Sequence, residues 1–167
     1  TDFYLVSSTD NGEYWTIHGG EINLTAIGDI IKLDRDSVLL ATRKGIFIGR
    51  NDQFNYTLLN DDIKDVLTLT FENKNKIWAG TWNGVYKASF PEMNWERVNL
   101  DSTYYPKVLI NKNGTIYTYS SEIVCKSTDH GNSWQYITGQ YFSDITLDGD
   151  SDLVITGGGF IFRANEN

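Results

Sequence analysis

Four residues with chemically useful side chains recur at intervals of about forty residues along the chain. Three are aspartates and one is a lysine: Asp29, Asp65, Lys107 and Asp144. Each stands at the start of a short apolar segment, so a fold that gathers these starts around one opening would bring the four side chains together. Such a ring could bind a cation, a set of sugar hydroxyls or a basic side chain. Alternatively, each aspartate caps the turn before a strand.

Aromatic residues lie in the same segments and predict a second kind of contact. Tyr105 and Tyr141 stand near Lys107 and Asp144, and Trp82 stands in a turn-like sequence. Aromatic faces beside carboxylates suit carbohydrate contacts, but rings in loops also simply pack against their neighbours. The predicted ligand-binding set is therefore Asp29, Asp65, Lys107, Asp144, Tyr105, Tyr141 and Trp82.

The sequence contains few residues in patterns typical of catalytic or metal-binding sites. His18 and His130 lie far apart in the sequence, and neither belongs to a spacing typical of metal ligands. The sequence has no nucleophile motif or phosphate-binding loop, and the glycine run 157–159 precedes a strand, which indicates a hairpin turn. We predict no catalytic residue, no metal and no cofactor. Catalysis by this chain stays open but is disfavoured.

A repeat of about forty residues supplies the elements that position these side chains. Each copy reads as four short strands between turn sequences, and no amphipathic helix stands out. The second strand of each copy is the clearest: VLLAT from Val38, KIWAGT from Lys76, TIYTYS from Thr115 and LVITG from Leu153. Small sheets of this kind stack around an axis to bury their faces.

The fold class predicted is all-β, a β-propeller of four-stranded antiparallel blades with about four repeats in this chain. The first strand of each blade would lie nearest the axis, so the three acids and the lysine would ring one mouth of the channel. We predict one propeller domain or propeller fragment over 1–167. Its blades are expected at about 27–62, 63–101, 102–139, and 140–167 together with 1–20.

Two arrangements of the repeats fit this sequence. In the first, the two ends combine into a fourth blade and close a four-bladed ring. In the second, the chain is an excerpt of a larger propeller, for example a seven-bladed one, whose open sheet faces need more chain or a second copy. We expect the excerpt, because the chain boundaries fall inside a repeat.

One octapeptide occurs twice, as STDNGEYW from Ser8 and as STDHGNSW from Ser127. Both copies fall between the third and fourth strands of a blade, which predicts two equivalent hairpin turns. In such turns the aspartates accept backbone hydrogen bonds, the glycines adopt positive φ, and the tryptophans bury their rings between sheets. The predicted turn residues are Ser8, Asp10, Gly12, Trp15, Ser127, Asp129, Gly131 and Trp134.

The S-x-D-x-G-x-x-W pattern of both octapeptides resembles the Asp-box, or BNR repeat, of sialidases and related propellers. The segment KIWAGTWNGVYKAS from Lys76 is similar to repeats of two-component-regulator sensor propellers and of xyloglucanase-like propellers. This resemblance covers nearly the whole chain and implies a propeller fold. It implies little about activity, because Asp-boxes in that family are structural turns away from the active site.

Sialidases of this family use three arginines on a carboxylate, a Tyr–Glu nucleophile pair and an acid–base aspartate. One predicted blade contains three of the arginines, Arg35, Arg43 and Arg50, so they lack the spread that a central carboxylate clamp needs. The Arg-Ile-Pro signature is also absent, and both observations argue against a sialidase. A xyloglucanase-type hydrolase needs two carboxylates across a cleft. Among 22 acidic residues some pair meets that condition by chance, so the count carries little weight.

Three functions follow from these observations. The preferred one is a non-catalytic module that recognises a ligand or protein through one channel face. The second is the propeller portion of a sialidase- or xyloglucanase-like glycoside hydrolase, and the third is a structural assembly factor that docks other proteins. The predicted partner is a carbohydrate or a protein, with a homo-oligomer or further blades from a longer parent chain also open.

Charge and composition exclude some partners. The formal net charge of −8 and the pI near 4.6 repel phosphate backbones and anionic lipid, so we predict no nucleic-acid and no membrane partner. No stretch is apolar over the length of a bilayer span. The single cysteine, Cys125, lies in an apolar run and is expected to be a buried, inert thiol. The resemblance implies a secreted, periplasmic or extracellular setting.

Overall fold

The computed structural model describes residues 5–18, 26–50, 56–100, 104–138, 141–149 and 152–164. These residues form short strands joined by turns, and they include no helix that is long and apolar enough to cross a membrane. The chain divides into two compact units, Thr1–Val66 and Leu67–Asn167.

The first unit contains a two-stranded and a four-stranded antiparallel sheet. The small sheet pairs β1 (Leu5–Ser7) with β2 (Thr16–His18). The larger sheet has the order β3-β4-β5-β6, formed by β3 (Ile27–Lys32), β4 (Ser37–Thr42), β5 (Gly45–Arg50) and β6 (Tyr56–Asn60).

The second unit, together with Val66 at the start of β7, contains three sheets, each made of strands consecutive in sequence. The first has the order β7-β8-β9-β10: β7 (Val66–Asn73), β8 (Lys76–Thr81), β9 (Gly84–Ser89) and β10 (Trp95–Arg97). The second has the order β11-β12-β13-β14: β11 (Val108–Ile110), β12 (Ile116–Tyr119), β13 (Ile123–Ser127) and β14 (Gln135–Thr138). The third has three strands: β15 (Phe142–Asp148), β16 (Asp152–Gly157) and β17 (Phe160–Ala164).

Four consecutive antiparallel strands are the unit that the repeat predicted, and three of the sheets have that form. The all-β class and the four-stranded blade are therefore confirmed. These strands lie inside the predicted blade boundaries. The total blade number and the joining of 140–167 with 1–20 stay predictions.

Apolar faces between neighbouring sheets form the core of the second unit. One cluster lies between the β7–β10 and β11–β14 sheets and includes Trp78, Val85, Tyr105, Ile116 and Cys125, all fully buried. A second cluster lies between the β11–β14 and β15–β17 sheets. The expected burial of the Cys125 thiol is confirmed. Stacked blades bury faces that one sheet would leave in water.

The two octapeptides form the same hairpin turn. Ser8 Oγ donates to Asp10 Oδ1 at 2.6 Å and accepts the Gly12 amide at 2.8 Å. The equivalent bonds of Ser127 Oγ, to Asp129 Oδ1 and from the Gly131 amide, measure 2.8 and 2.9 Å. Both glycines have positive φ, as predicted. Each turn thus satisfies its own backbone donors with two short side chains.

The two tryptophans of these turns differ. Trp134 packs against the first cluster and meets Trp78 edge to face, with ring centroids 6.4 Å apart. Trp15 is 60% exposed, so the prediction that its ring is buried is wrong. Its indole Nε1 instead donates to Gly12 O at 3.1 Å, in a sheet for which the described residues supply two strands.

Candidate ligand-recognition site

One repeated backbone contact positions the candidate site residues. The chain entering a first strand donates an amide to the turn between the second and third strands of the preceding sheet. Phe142 N donates to Ser121 O at 2.8 Å, and Tyr105 N donates to Thr81 O at 3.3 Å. In the first unit, Asp65 N donates to Arg43 O at 3.0 Å in the same way. The residues that lead into β7, β11 and β15 therefore lie beside a hairpin turn.

Two predicted ring members, Lys107 and Asp144, form an ion pair. Lys107 Nζ lies 2.9 Å from Asp144 Oδ1 and 3.2 Å from Oδ2, and it also donates to Ile145 O at 3.0 Å. The Lys107 side chain is 31% exposed and that of Asp144 is 54% exposed, so water reaches the pair. A pair this open contributes at most about 1 kcal/mol to stability. A polar ligand can therefore replace the contact between the Lys107 ammonium and the Asp144 carboxylate.

A β-bulge holds Asp144 at this place. The register of β15 against β16 shifts between Phe142 and Asp144, and Ile145 N then donates to Asp144 Oδ1 at 2.9 Å. Asp29 follows a matching shift in β3, with Ile30 N donating to its Oδ1 at 2.8 Å. These bonds support the capping interpretation for both aspartates. Asp144 uses the same carboxylate for Lys107, so capping and pairing coexist.

Asp65 departs from the predicted set. It precedes β7 and has φ of 50°, like Ala26 before β3 and Tyr141 before β15, at 44° and 54°. Asp29 and Asp144 lie three residues after those positions, so Thr68, and not Asp65, is their counterpart. Asp65 Oδ1 lies 3.3 Å from Arg43 Nε. The alignment of Asp65 with the other three residues is wrong, because sequence reading could not place the bulge.

Trp82 and Tyr104 form an exposed aromatic pair. Their ring centroids are 5.5 Å apart with an interplanar angle of 64°, and the side chains are 52% and 41% exposed. Trp82 lies in the β8–β9 turn, and Tyr104 opens the segment that leads to Lys107. Gly80 lets that segment approach β8, because a Cβ atom there would lie 2.7 Å from Tyr105 O. Edge-to-face packing fixes both rings while leaving apolar surface in water.

Tyr105 and Tyr141 have opposite environments. Tyr105 is fully buried in the first cluster, with its hydroxyl 3.8 Å from Cys125 Sγ. Its ring cannot reach a ligand at the surface, so the prediction that Tyr105 binds a ligand is wrong, and its exposed neighbour Tyr104 takes that place. Tyr141 is 75% exposed. Its accessibility is compatible with the predicted contact.

Tyr119 belongs to the same region and was missed from the sequence. Its hydroxyl donates to Ser143 O at 2.9 Å, next to Asp144. Burial, followed by the nearby Asp144 carboxylate, raises the pKa of Tyr119 to about 12. The phenol therefore stays protonated and fixes the start of β15. Only the alternation of the TIYTYS strand could have indicated an inward-facing tyrosine here.

The histidine of the second octapeptide belongs to a different group of side chains. His130 Nδ1 contacts Glu72 Oε1, and Trp78 Nε1 donates to Glu72 Oε2 at 2.7 Å. The Glu72 side chain is 4% exposed, and Lys76 Nζ lies 3.6 Å from its Oε2. This group ties the β13–β14 turn to the β7–β8 hairpin. Its role in the fold is to pair a buried carboxylate with donors.

The turn-side site is defined here by Trp82, Tyr104, Lys107 and Asp144. These residues lie in three elements: the β8–β9 turn, the segment before β11 and the bulged start of β15. Tyr104 and Lys107 lie three residues apart, which spans at most about 11 Å of extended chain. Exposed rings and both charge signs within that reach suit contacts to a polypeptide or to a sugar.

Comparison with known proteins identifies the fold. No family model and no curated protein match the sequence. The extracellular domain of a hybrid two component system from B. thetaiotaomicron superposes with a TM-score of 0.74 at 18% identity, over 87% of this chain and 22% of that chain. An ancestral GH74 enzyme gives 0.72 at 23% identity, over 91% of this chain and 24% of that chain.

A third similar structure is YCF48 bound to D1 peptide, with a TM-score of 0.74 at 14% identity, over 98% of this chain and 58% of that chain. The chain thus spans less than a quarter of the length of the first two neighbours and 58% of the third. Identities this low show the fold alone. The chain has a β-propeller fold.

Proposed function

We propose that this chain is a non-catalytic β-propeller module that recognises a polypeptide through the turn-side site. The observation that carries the proposal is the exposed Trp82–Tyr104 pair, with the Lys107–Asp144 ion pair three residues along the same segment. Tryptophan and tyrosine anchor many protein interfaces, and charges at the rim select the partner. Tyr141 is proposed as a further contact, and Asp29, in the first unit, is proposed as a separate ligand-binding residue.

The comparisons are compatible with a polypeptide partner. YCF48 is a propeller bound to a peptide, the structure of a nidogen/laminin complex is another neighbour, and the Doa1 propeller is a third. The two matching octapeptide turns support placing the chain in the Asp-box group. A periplasmic or extracellular setting is proposed on the likeness to extracellular domains of B. thetaiotaomicron proteins.

Selection from a displayed peptide library, followed by affinity measurement on the Trp82→Ala variant, tests this function. We expect selected peptides to lose at least about tenfold in affinity, because removing an aromatic anchor costs about 1.4 kcal/mol or more. Tyr136→Ala is the control, an aromatic side chain removed outside the site: Tyr136 is 42% exposed on β14, against 52% for Trp82. The control should bind like the parent chain.

A glycan array with a hydrolysis readout separates the alternatives. Release of sugar would replace this proposal with the glycoside hydrolase hypothesis. Glycan binding that depends on Trp82, without any selected peptide, would change the partner class to carbohydrate. Equal peptide affinities for Trp82→Ala, Tyr136→Ala and the parent would remove the turn-side site from recognition.

A further inference from the structure

β17 is an apolar strand at the edge of its sheet. On one side it pairs with β16, from Leu153↔Ala164 to Gly157↔Phe160, and the described residues place no strand on its other side. Phe160, Ile161 and Phe162 are 68%, 76% and 53% exposed. An edge with unpaired backbone groups and large apolar side chains is a template for another strand.

The other third strands of the repeat show what pairs with such an edge. β5 pairs antiparallel with β6, β9 with β10, and β13 with β14. In β9 and β13, the residues that are equivalent to those of β17 are mostly buried. Val85 and Val124, for example, are fully buried, whereas Ile161 at the same position in β17 is 76% exposed. The difference lies in the neighbours of β17 and not in its own apolar sequence.

The fifth residue of the third strand lies opposite the first residue of the fourth strand in the β5–β6 and β9–β10 pairs. This residue is small in every case: Gly49, Ala88, Ser127 and Ala164. Tyr56 lies opposite Gly49 and Trp95 lies opposite Ala88. A Cβ atom at Gly49 would overlap the Tyr56 ring, so the small residue makes room for an aromatic one. Ala164 matches Ala88, which lies opposite Trp95, and the described residues place no ring opposite Ala164 on the outer edge.

The next two positions continue the pattern. Polar Thr57, Glu96 and Gln135 lie opposite the fourth residue of the third strand, which is Arg163 in β17. Long side chains lie opposite the third residue, which is Phe162 in β17: Leu58, Arg97 and Tyr136. Arg163 is held by Asp148 and Asp152, at 2.9 and 2.8 Å, so a polar and not necessarily acidic residue suffices opposite it.

We propose that β17 binds an extended segment of a partner polypeptide as an added antiparallel strand, with an aromatic residue opposite Ala164, a polar residue opposite Arg163 and a long side chain opposite Phe162. Main-chain hydrogen bonds to the edge supply affinity, and the space over Ala164 supplies specificity. This edge is independent of the turn-side site, because no residue is shared between them.

The probe is a synthetic peptide with the sequence NWERVN, which this chain uses at 94–99 as a fourth strand. We expect it to bind the full chain and to slow hydrogen exchange at the amides of Phe160–Ala164. Replacing its tryptophan by alanine should weaken binding at least about tenfold. On the protein, Ala164→Leu fills the space for the ring and should weaken binding similarly, while Ala164→Gly should preserve it.

Three outcomes would overturn the proposal. The first is a peptide affinity that is the same for the tryptophan and alanine peptides, or for Ala164→Leu and Ala164→Gly. The second is a dimer of twice 19.0 kDa that forms as the protein concentration rises and that protects the β17 amides from exchange. The strand paired with β17 would then belong to a second copy of the chain. The third is full protection of β17 in the free monomer, since the chain then covers its own edge.

Discussion

At the scale of single residues, Asp129 shows how one half-buried carboxylate can organise a turn. Its Oδ1 accepts the Asn132 and Ser133 amides at 3.1 and 2.9 Å, and Ser133 Oγ donates to its Oδ2 at 2.6 Å. These bonds, led by those from Ser133, lower the pKa of Asp129 to about 2. The ionised form is the one that the turn requires.

The pKa of Asp129 predicts an acid-dependent contribution to stability. Because the pKa is lowered from 3.8 to about 2 in the folded chain, the contribution is complete above pH 3.8 and disappears as the pH falls toward 2. Asp129→Asn should therefore lower the urea midpoint at pH 6, and the difference from the parent should close near pH 2. Urea unfolding at a series of pH values measures it; a constant gap would mean that the charge is irrelevant.

At the scale of elements, the turns formed by the two octapeptides provide an internal comparison. Gly12 and Gly131 occupy equivalent positions, with φ of 92° and 79°. A Cβ atom at Gly12 would meet only the Trp15 ring, at 3.6 Å, whereas one at Gly131 would overlap the Trp78 ring of the neighbouring sheet. The same turn is thus free-standing in one sheet and packed in the other.

Alanine at these glycines should separate backbone strain from packing. Gly12→Ala should cost about 1–2 kcal/mol, the usual penalty for a side chain in the left-handed region. Gly131→Ala should cost clearly more, because Trp78 and its contact with Trp134 must also shift. Chemical unfolding of both variants tests the difference. Equal losses would show that the Trp78 contact does not constrain the turn.

The same elements show how far the sequence predicts structure. Alternation and the forty-residue period predict the strands, since both follow from which faces are buried. They do not predict which of two adjacent tyrosines faces inward, and Tyr105 is buried while Tyr104 is exposed. They also miss bulges, which shifted Asp65 out of its predicted set. The Trp82–Tyr104 contact depends on chain direction after β10, which no local pattern encodes.

At the scale of the whole molecule, burial is concentrated in the second strand of each repeat. Four of the six residues of β4 are buried, as are five of six in β8 and all four in β12. These strands have a hydrogen-bonded neighbour on both sides. Fourth strands lie at sheet edges and have exposed side chains, as in β6 and β10. Stability against local opening should follow this order.

Native-state hydrogen exchange should therefore rank the strands by their place in the blade. We expect amides of β4, β8 and β12 to exchange most slowly and those of β6, β10 and β14 more quickly, because opening an edge strand exposes little apolar surface. Among third strands, β17 should exchange faster than β9 and β13, whose outer edges are paired. Uniform protection across all strands would contradict this ranking, because it would mean that each unit opens only as a whole and that burial within a blade has no local effect.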